Sequence, residues 1–365
     1  MRTAVVIIGV SAVALVGTAS VALVREPVRR DAGLMRTATA DAAVETLALA
    51  PGEPCTGRFE TIALEHVTTV DGDAIGQFDT NGAGLAIADL DGDRLPEIVL
   101  ANLDGPSSIL WNDGAMRFTR TVLDDRSARG VAAVDLDADE APELVFTHRG
   151  AGVSAWHNDG GPREARFSRT TLPGVLRPAY AMHWADVVGD RSLDLVTGSY
   201  DADLDRSKGS AFLFSDGAGI FVYERRGDAY IPERLSRTSQ TLTIATPDLD
   251  GDGIGDLLTG NDFTVRDRAW LRTADGWSET SPFARTTENT MSAVLADIDN
   301  DGTDELYVTD MKPARTDPET LARWLPVMAH MRQEYPKGDP QRPRNVLQVR
   351  TAGGTFVDRA QEHGI

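Results

Sequence analysis

The chain has 365 residues, a formal net charge of −20 and one cysteine, Cys55. Nucleic acid and anionic lipid are poor partners for so acidic a surface, because like charges repel. A single cysteine excludes an internal disulfide. In an exported chain it either pairs between molecules or, as the simpler hypothesis, is buried as a small apolar residue.

An apolar run follows Arg2 and extends from Thr3 to Val24. It is long for the core of a signal peptide and long enough to span a bilayer, and Gly17-Thr18-Ala19 offers a small-residue cleavage site. We predict a signal peptide or membrane anchor over residues 1–25, with a buried core helix as the alternative. The protein is then exported, as a periplasmic, cell-surface or secreted protein that meets a membrane only through this segment. Residues 26–57, rich in Ala, Thr and charge, are predicted to be a linker.

Residues 58–365 contain five copies of an acidic loop between two apolar stretches, as in ADLDGDRLPEIVL from Ala88. We number each loop from its first aspartate and define loop 1 (89–97), loop 2 (135–143), loop 3 (186–194), loop 4 (248–256) and loop 5 (297–305). In loops 1, 2, 4 and 5, carboxylates recur at positions one, three, five and nine. The predicted metal ligands are Asp89, Asp91, Asp93, Glu97, Asp135, Asp137, Asp139, Glu143, Asp186, Asp190, Asp194, Asp248, Asp250, Asp252, Asp256, Asp297, Asp299, Asp301 and Glu305.

This ligand pattern favours calcium. Ca2+ binds about six to eight oxygen ligands in a tolerant geometry, and the loops hold no Cys or His, which argues against zinc or copper. Four intact loops predict about four strong sites. Loop 3 has Val188 at position three, so we expect weak binding or none there, or simply a turn. Asp-Gly pairs are ordinary turn signals, and a single loop of this kind would indicate little.

The residues around the loops predict strands. An EF-hand shares the first five positions but needs a bidentate Glu at position twelve and a helix on each side. Position twelve is Leu100 in loop 1 and Thr259 in loop 4, and the flanking segments are short and rich in β-branched residues. The loops are therefore predicted to join two strands, and the EF-hand is excluded.

Successive loops begin 46 to 62 residues apart, and each unit holds about four strand-like segments, which is the size of a β-propeller blade. We predict an all-β protein, a β-propeller of four-stranded blades with a short helical insertion near 317–335. In that insertion Asp317 is placed to cap a helix that begins with Pro318 and either lies on a propeller face or binds a partner. The predicted blades span about 83–125, 129–173, 179–226, 240–286 and 290–359.

These residues resemble the FG-GAP/VCBS repeat family. The likeness rests on the D-x-D-x-D-G-x-x-D/E loop, the strand after it, a small-residue turn as in SILWNDGA, and an aromatic-led strand such as the one at Phe118. It extends from about Phe59 to the C-terminus and implies a calcium-binding propeller, as in integrin α heads and many secreted bacterial proteins. The segment LYVTDMKPARTDPETLARWLPVMAHMRQEY from Leu306 is similar to bacterial relatives of cartilage acidic protein that carry an ASPIC/UnbV segment.

Closure of the propeller has three explanations. Five blades and a lone outer strand from Phe59 fall short of the seven blades that related propellers commonly have. The sequence is then a truncated or split reading frame, or five blades close alone, or a second chain completes the ring and covers the exposed sheet edges.

No catalytic pattern is evident. The six histidines are His66, His148, His157, His183, His330 and His363. None has H-x-x-x-H or H-E-x-x-H spacing, and G-x-S-x-G is absent, so strand histidines with ordinary partners are the simpler interpretation. Trp111, Trp156, Trp184 and Trp270 either line a ligand face or pack between blades.

We therefore predict a binding or adhesion module for a protein or carbohydrate ligand rather than an enzyme. One alternative is a polysaccharide-active lyase or a related propeller enzyme, because the fold does not exclude catalysis. The other is an envelope scaffold completed by a second chain.

Overall fold

The computed structural model describes residues 3–8, 22–24, 42–48, 61–70, 82–163, 166–200, 218–263, 265–311, 317–320, 322, 340–351 and 353–365. It divides into two compact units, Met1–Ala63 and Leu64–Ile365. Cys55, His330 and most of the predicted insertion lie outside the described residues.

The first unit holds a three-stranded antiparallel sheet in which β3 (Ala42–Ala48) lies between β1 (Thr3–Ile8) and β2 (Ala22–Val24). β3 falls inside the stretch predicted to be a linker. It pairs with β1 from Thr3 opposite Ala48 to Ile8 opposite Ala43, which provides partners for backbone groups that a linker would leave to water. No helix in the described part of the chain combines the length and apolar character needed to cross a membrane. The signal or anchor assignment stays a prediction.

In its described residues, the second unit contains five antiparallel sheets, each of four strands in chain order, which we call blades 1 to 5. The predicted all-β propeller of four-stranded blades is therefore confirmed. Blade 1 comprises β4 (Leu85–Ala88), β5 (Glu97–Leu100), β6 (Ser107–Asn112) and β7 (Phe118–Leu123). Blade 2 comprises β8 (Ala128–Val134), β9 (Glu143–His148), β10 (Ala151–Asn158) and β11 (Phe167–Thr170). Blade 3 comprises β12 (Ala181–Ala185), β13 (Asp194–Gly198), β14 (Ile220–Arg226) and β15 (Ala229–Ser236).

The remaining strands belong to blades 4 and 5 and to a short parallel pair. Blade 4 comprises β16 (Thr241–Ala245), β17 (Leu257–Asn261), β18 (Arg268–Thr273) and β19 (Gly276–Thr280). The parallel pair consists of β20 (Thr286–Thr287) and β23 (Gln341–Arg342). Blade 5 comprises β21 (Thr290–Ala296), β22 (Glu305–Asp310), β24 (Val346–Arg350) and β25 (Phe356–Asp358).

Every acidic loop occupies the same place in its blade, between the first and second strands. In blades 1 and 5 the residue before the loop pairs with loop position nine, as Ala88 does with Glu97 and Ala296 with Glu305. In blades 1, 2, 3 and 5, loop position nine is the first residue of the second strand. In blade 4, position nine directly precedes the second strand. The repeat in sequence is therefore a repeat in space.

Neighbouring blades pack face to face through apolar layers. The first strands of successive blades contact one another, and each seam between blades holds a buried cluster. Trp111 and Phe146 lie in the layer between blades 1 and 2, and Trp270 in the layer between blades 3 and 4. Trp156 packs against the layer between blades 1 and 2, and Trp184 against the layer between blades 2 and 3, both from partly buried positions. All four tryptophans therefore serve blade packing, the simpler of the two interpretations.

Two strand assignments differ from the prediction. Blade 3 was expected to end near residue 226, whereas Ile220–Arg226 is the third strand of the described sheet and Ala229–Ser236 is the fourth. The two-residue turn at Gly227 closes a hairpin that adds the extra strand. The outer strand expected from Phe59 is not formed over residues 61–70, which have no regular secondary structure.

The helical insertion begins where it was predicted. Residues 318–320 and 322 are helical. The Asp317 carboxylate accepts hydrogen bonds from the Thr320 backbone N–H (3.1 Å) and hydroxyl (2.8 Å), which is the geometry of an N-cap. These bonds lower the pKa of Asp317. The rest of the insertion lies outside the described residues.

Candidate metal centres

The backbone of the five acidic loops is the same, which explains the recurring glycines. Positions four and six have positive φ in every loop: Gly92 and Arg94, Ala138 and Glu140, Gly189 and Arg191, Gly251 and Gly253, Asn300 and Gly302. Glycine and asparagine adopt this conformation at least cost, which accounts for the D-G and N-D elements of the motif.

Ala138 is the exception at position four, since its φ of 65° is strained for a residue with a Cβ. Replacing Ala138 by glycine is expected to stabilise the protein by about 0.5–1 kcal/mol. Denaturant unfolding measures the change, and Ala141→Gly in the same loop, at a position without positive φ, is the matched control. If the Ala138→Gly variant were no more stable than the control, the claim that Ala138 strains the backbone would be wrong.

Position one organises the loop. Its carboxylate accepts hydrogen bonds from backbone N–H groups at positions four to six, as Asp89 does from Gly92 (2.8 Å) and Arg94 (2.9 Å). Equivalent bonds occur in the other four loops. The carboxylate at position five accepts a bond from the N–H at position seven in all five loops. Each loop is therefore preformed by its own carboxylates.

Position nine joins the loop to the blade. The carboxylates there are buried, and each accepts the backbone N–H of position two at 2.7–3.0 Å. In blades 1 to 4 it also accepts a backbone N–H from the end of the third strand, as Asp256 does from Arg272 at 2.7 Å. Position nine thus has a structural role that does not depend on a metal.

Position three is the carboxylate that the protein backbone uses least. Asp250 and Asp299 each accept one exposed N–H at 3.1 Å. Asp91 and Asp137 accept none from the backbone of the described residues. The loop backbone therefore depends less on the oxygens at position three than on those at positions one, five and nine.

The structure brings together the carboxylates of positions one, three and nine. Oxygens of three side chains lie within 4.8 Å of one another in loops 1, 4 and 5. Loop 2 instead groups positions one, three and five, and a second group there contains Asp137, Glu143 and His157. The three groups of the first kind are Asp89, Asp91 and Glu97; Asp248, Asp250 and Asp256; and Asp297, Asp299 and Glu305. Position five, which we also predicted as a ligand, therefore joins a group only in loop 2.

Loop 3 keeps the shape without the cluster. Asp186, Asp190 and Asp194 make the same loop hydrogen bonds as their counterparts, but they belong to none of the acidic groups found among the described residues. Val188 at position three packs against the apolar layer between blades 3 and 4. Weak or absent metal binding by loop 3 stays a prediction.

Electrostatics around position nine favour a cation. Burial raises the pKa of Glu97, Asp194 and Asp256, and backbone hydrogen bonds offset part of the rise. The neighbouring carboxylates at positions three and five raise the pKa of Glu97 and Asp256 further. A bound divalent cation would oppose both effects, because it favours the ionised form.

His157 is a candidate ligand that the sequence did not reveal. Its Nδ1 lies 3.0 Å from Oε1 of Glu143 and 3.8 Å from Oδ2 of Asp137, and its Nε2 lies 3.8 Å from Oδ1 of Asp159. We placed no imidazole near the loops because His157 is fourteen residues beyond Glu143. The repeat did contain a signal for this contact. His157 immediately precedes Asn158, the third-strand residue whose N–H donates to Glu143 at position nine.

Other histidines have ordinary partners. His148 contacts the Ser154 hydroxyl (2.9 Å), the Arg126 carbonyl (3.0 Å) and the Asp125 carboxylate (3.3 Å). His183 contacts the Thr246 hydroxyl at 3.2 Å, and burial lowers its pKa. The simpler interpretation of these strand histidines holds for both.

Two buried aspartates away from the loops carry a pH dependence. Burial raises the pKa of Asp267 to about 6 and that of Asp310 to about 7, against hydrogen bonds that lower both. Each carboxyl binds a proton more tightly in the folded protein than in the unfolded chain, where its pKa is near 3.8. The stability gained from protonation is complete below that value and is lost as the pH rises through about 6 and then about 7.

The wild-type protein is expected to lose stability as the pH rises above about 5. Replacing Asp310 by asparagine should reduce that loss by about one to a few kcal/mol. The amide oxygen can still accept the Glu288 and Asn289 N–H bonds that the carboxylate accepts at 2.6 and 3.1 Å. Unfolding free energies measured from about pH 5 to about pH 8 in chelator give the comparison. Parallel curves for the variant and the wild type would show that Asp310 does not titrate in this range.

Comparison with known proteins supports the repeat. The family model described as FG-GAP-like repeat matches residues 89–146 and 248–308, which contain loops 1 and 2 and loops 4 and 5. No curated protein matches the chain. The narrower likeness to relatives of cartilage acidic protein stays a prediction.

Two solved proteins share a distant structural similarity. The V. cholerae biofilm matrix protein Bap1 is 15% identical with a TM-score of 0.33, over 64% of this chain and 35% of that one, so this chain spans about a third of its length. The GH43_1 enzyme from Xanthomonas citri, in complex with xylotriose, is 12% identical with a TM-score of 0.35, over 74% of this chain and 89% of that one. Similarity at this level carries no inference about binding or activity. What the family match and the blades establish together is that this chain carries FG-GAP-like repeats in a β-propeller of four-stranded blades.

Proposed function

We propose that this protein is an exported calcium-binding β-propeller that serves as a binding or adhesion module for a protein or carbohydrate partner. The observation that carries the proposal is the grouping of carboxylates at positions one, three and nine in loops 1, 4 and 5. One such group would be an ordinary acidic surface. The same positions in the same hairpin of three blades favour a repeated cation site.

The chemistry of the ligands favours calcium over other ions. All three members of each group are carboxylates, which suit a hard cation. Magnesium requires near-octahedral geometry and keeps much of its water, whereas calcium tolerates irregular oxygen sets that include backbone carbonyls. Loop 2, with His157 beside Asp137 and Glu143, departs from an all-oxygen set.

A calcium ion in these loops would act on stability. It would link positions one and three, at the tip of the hairpin, to position nine, at the base of the second strand. An ion that binds only the folded protein stabilises it by mass action. Calcium would thereby replace the disulfides that a chain with one cysteine cannot form within itself. A rigid, strongly acidic propeller of this kind suits a module that presents a surface to a partner.

Thermal unfolding of the full chain, in calcium, in excess chelator and in magnesium, tests the calcium proposal. A large rise in melting temperature in calcium and a smaller one in magnesium is expected. Equal melting temperatures in calcium and chelator would reject the loops as calcium sites. Binding of the calcium-loaded protein to a glycan array, repeated in chelator, then tests a carbohydrate partner, and fractionation of expressing cells tests export.

A further inference from the structure

Loop 1 differs from the other intact loops because an arginine of the next blade pairs with its position-three carboxylate. Arg163 lies in the connection between β10 and β11 of blade 2. Its Nε donates to Oδ2 of Asp91 at 2.9 Å, and its Nη1 donates to Oδ1 of Asp113 at 3.0 Å. Its Nη2 lies 3.7 Å from Oδ2 of Asp93. One guanidinium therefore serves three carboxylates, two of which belong to loop 1.

The pose of Arg163 is fixed from a second side. Its guanidinium lies over the ring of Trp111, 5.2 Å from the centroid, and Trp111 is completely buried between blades 1 and 2. Arginine is suited to such a position, because its planar group pairs with carboxylates and stacks on an aromatic face at the same time. Only 31% of the side chain is exposed. This is a built contact between two blades, not a loose surface ion pair.

Asp91 retains an unused oxygen in this arrangement. Its side chain is 9% exposed, and Oδ2 is taken by Arg163. Oδ1 is buried and has no hydrogen-bond partner within the described part of the chain. Since a buried carboxylate oxygen without a partner is costly, the free Oδ1 points to a ligand that shares the site with Arg163.

The other loops lack this contact. In loop 4 the nearest nitrogen of Arg350 is 3.9 Å from Oδ1 of Asp248, and the arginine donates instead to the Asp248 carbonyl at 3.0 Å. In loop 2 Arg225 donates to the Leu136 carbonyl. Within the described residues, no arginine or lysine forms an ion pair with Asp297 or Asp299 of loop 5. Loop 1 is thus the one loop whose position-three carboxylate is paired with an arginine in the part of the chain described.

We propose that Arg163 is a built-in counter-cation of loop 1, which holds its carboxylates together without metal and lowers its affinity for calcium below that of loops 4 and 5. The first half stands on the contacts of Arg163 alone. The second half rests on the proposed function. A fixed positive charge beside a divalent-cation site opposes binding by direct repulsion, and it also occupies an oxygen of Asp91 that the ion would use. Loop 1 would then fill last, while blades 1 and 2 stay linked when calcium is scarce.

The counter-cation is tested first in chelator, where calcium plays no part. Four proteins are compared by thermal unfolding: wild type, Arg163→Gln, Asp91→Asn and the double variant. Arg163→Gln is expected to lower the melting temperature by about 2–4 °C, and to lower it much less when Asp91 is already asparagine. Arg169→Gln is the matched control, because Arg169 stacks on Trp156 at 5.8 Å in the same blade without an ion pair among the described residues. Equal effects of Arg163→Gln in both backgrounds would overturn the pairing.

The effect on affinity is tested by calorimetric titration of the full chain with calcium. Arg163→Gln is expected to tighten the weakest class of sites by about tenfold, whereas Arg169→Gln leaves the titration unchanged. Identical titrations for the two variants would overturn the affinity half of the proposal. A wild-type protein that binds no calcium would overturn the proposed function, and the unfolding comparison in chelator would still decide whether Arg163 is a counter-cation.

Discussion

Replacing Asp256 by alanine is expected to destabilise the protein by roughly 2–4 kcal/mol even in chelator, and by more in calcium, because Asp256 also belongs to the carboxylate group of loop 4. The Asp256 carboxylate is buried at position nine of loop 4 and accepts two backbone N–H groups, from Leu249 and Arg272, at 2.7 Å each. Alanine would leave both donors without a partner. Each such loss costs about 1–3 kcal/mol, because the donor has been removed from water and receives nothing in return.

Denaturant unfolding in calcium and in chelator measures this effect. Asp256→Asn keeps an oxygen that can accept one of the two N–H groups, so about half of the loss should be recovered. A loss seen only in calcium would mean that position nine acts solely as a metal ligand. That outcome would contradict the structural role assigned to the buried carboxylate.

Replacing Asp250 by alanine, six residues away in the same loop, is expected to destabilise the protein only when calcium is bound. Asp250 is exposed at position three and, among the described residues, accepts only the Asp252 N–H, at 3.1 Å. In chelator the change should stay within about 0.5 kcal/mol, as for an ordinary surface substitution. In saturating calcium the variant should lose up to about 2.7 kcal/mol, which is the stabilisation from one site at a hundred times its dissociation constant.

The control for Asp250→Ala is Asp275→Ala, which removes an exposed aspartate from the same blade outside the acidic loop. That control should be neutral in both solutions. An equal loss for Asp250→Ala in calcium and in chelator would remove position three of loop 4 from the set of ligands. The contrast between Asp250 and Asp256 therefore separates binding from folding within a single loop.

The blades and the positions of the loops were predictable because both follow from local sequence. Four short strands per repeat and a D-x-D-x-D-G turn are local signals, and the repeat multiplies each of them. The different roles of positions three and nine were not predictable from ligand spacing. They depend on pairing register, which places Glu97 opposite Ala88 and so buries it, while Asp91 stays at the tip of the hairpin.

Contacts between blades could not be predicted from the sequence. Arg163 meets Asp91 across 72 residues, and nothing in either segment specifies the other. His157 joins Glu143 for a related reason, since the third strand of the blade must first pair with the second. The end of blade 3 was predicted wrongly for a local reason. The sequence of Ile220–Arg226 suits either the third or the fourth strand, and its hairpin with Ala229–Ser236 makes it the third.

The number of calcium ions bound per full-length chain, measured by equilibrium dialysis against calcium in excess magnesium, tests the central claim most directly. The account predicts about four ions, from loops 1, 2, 4 and 5, with the ion of loop 1 bound most weakly. A folded protein that binds no calcium would contradict it, and the acidic loops would then be turns whose carboxylates serve only their own backbone.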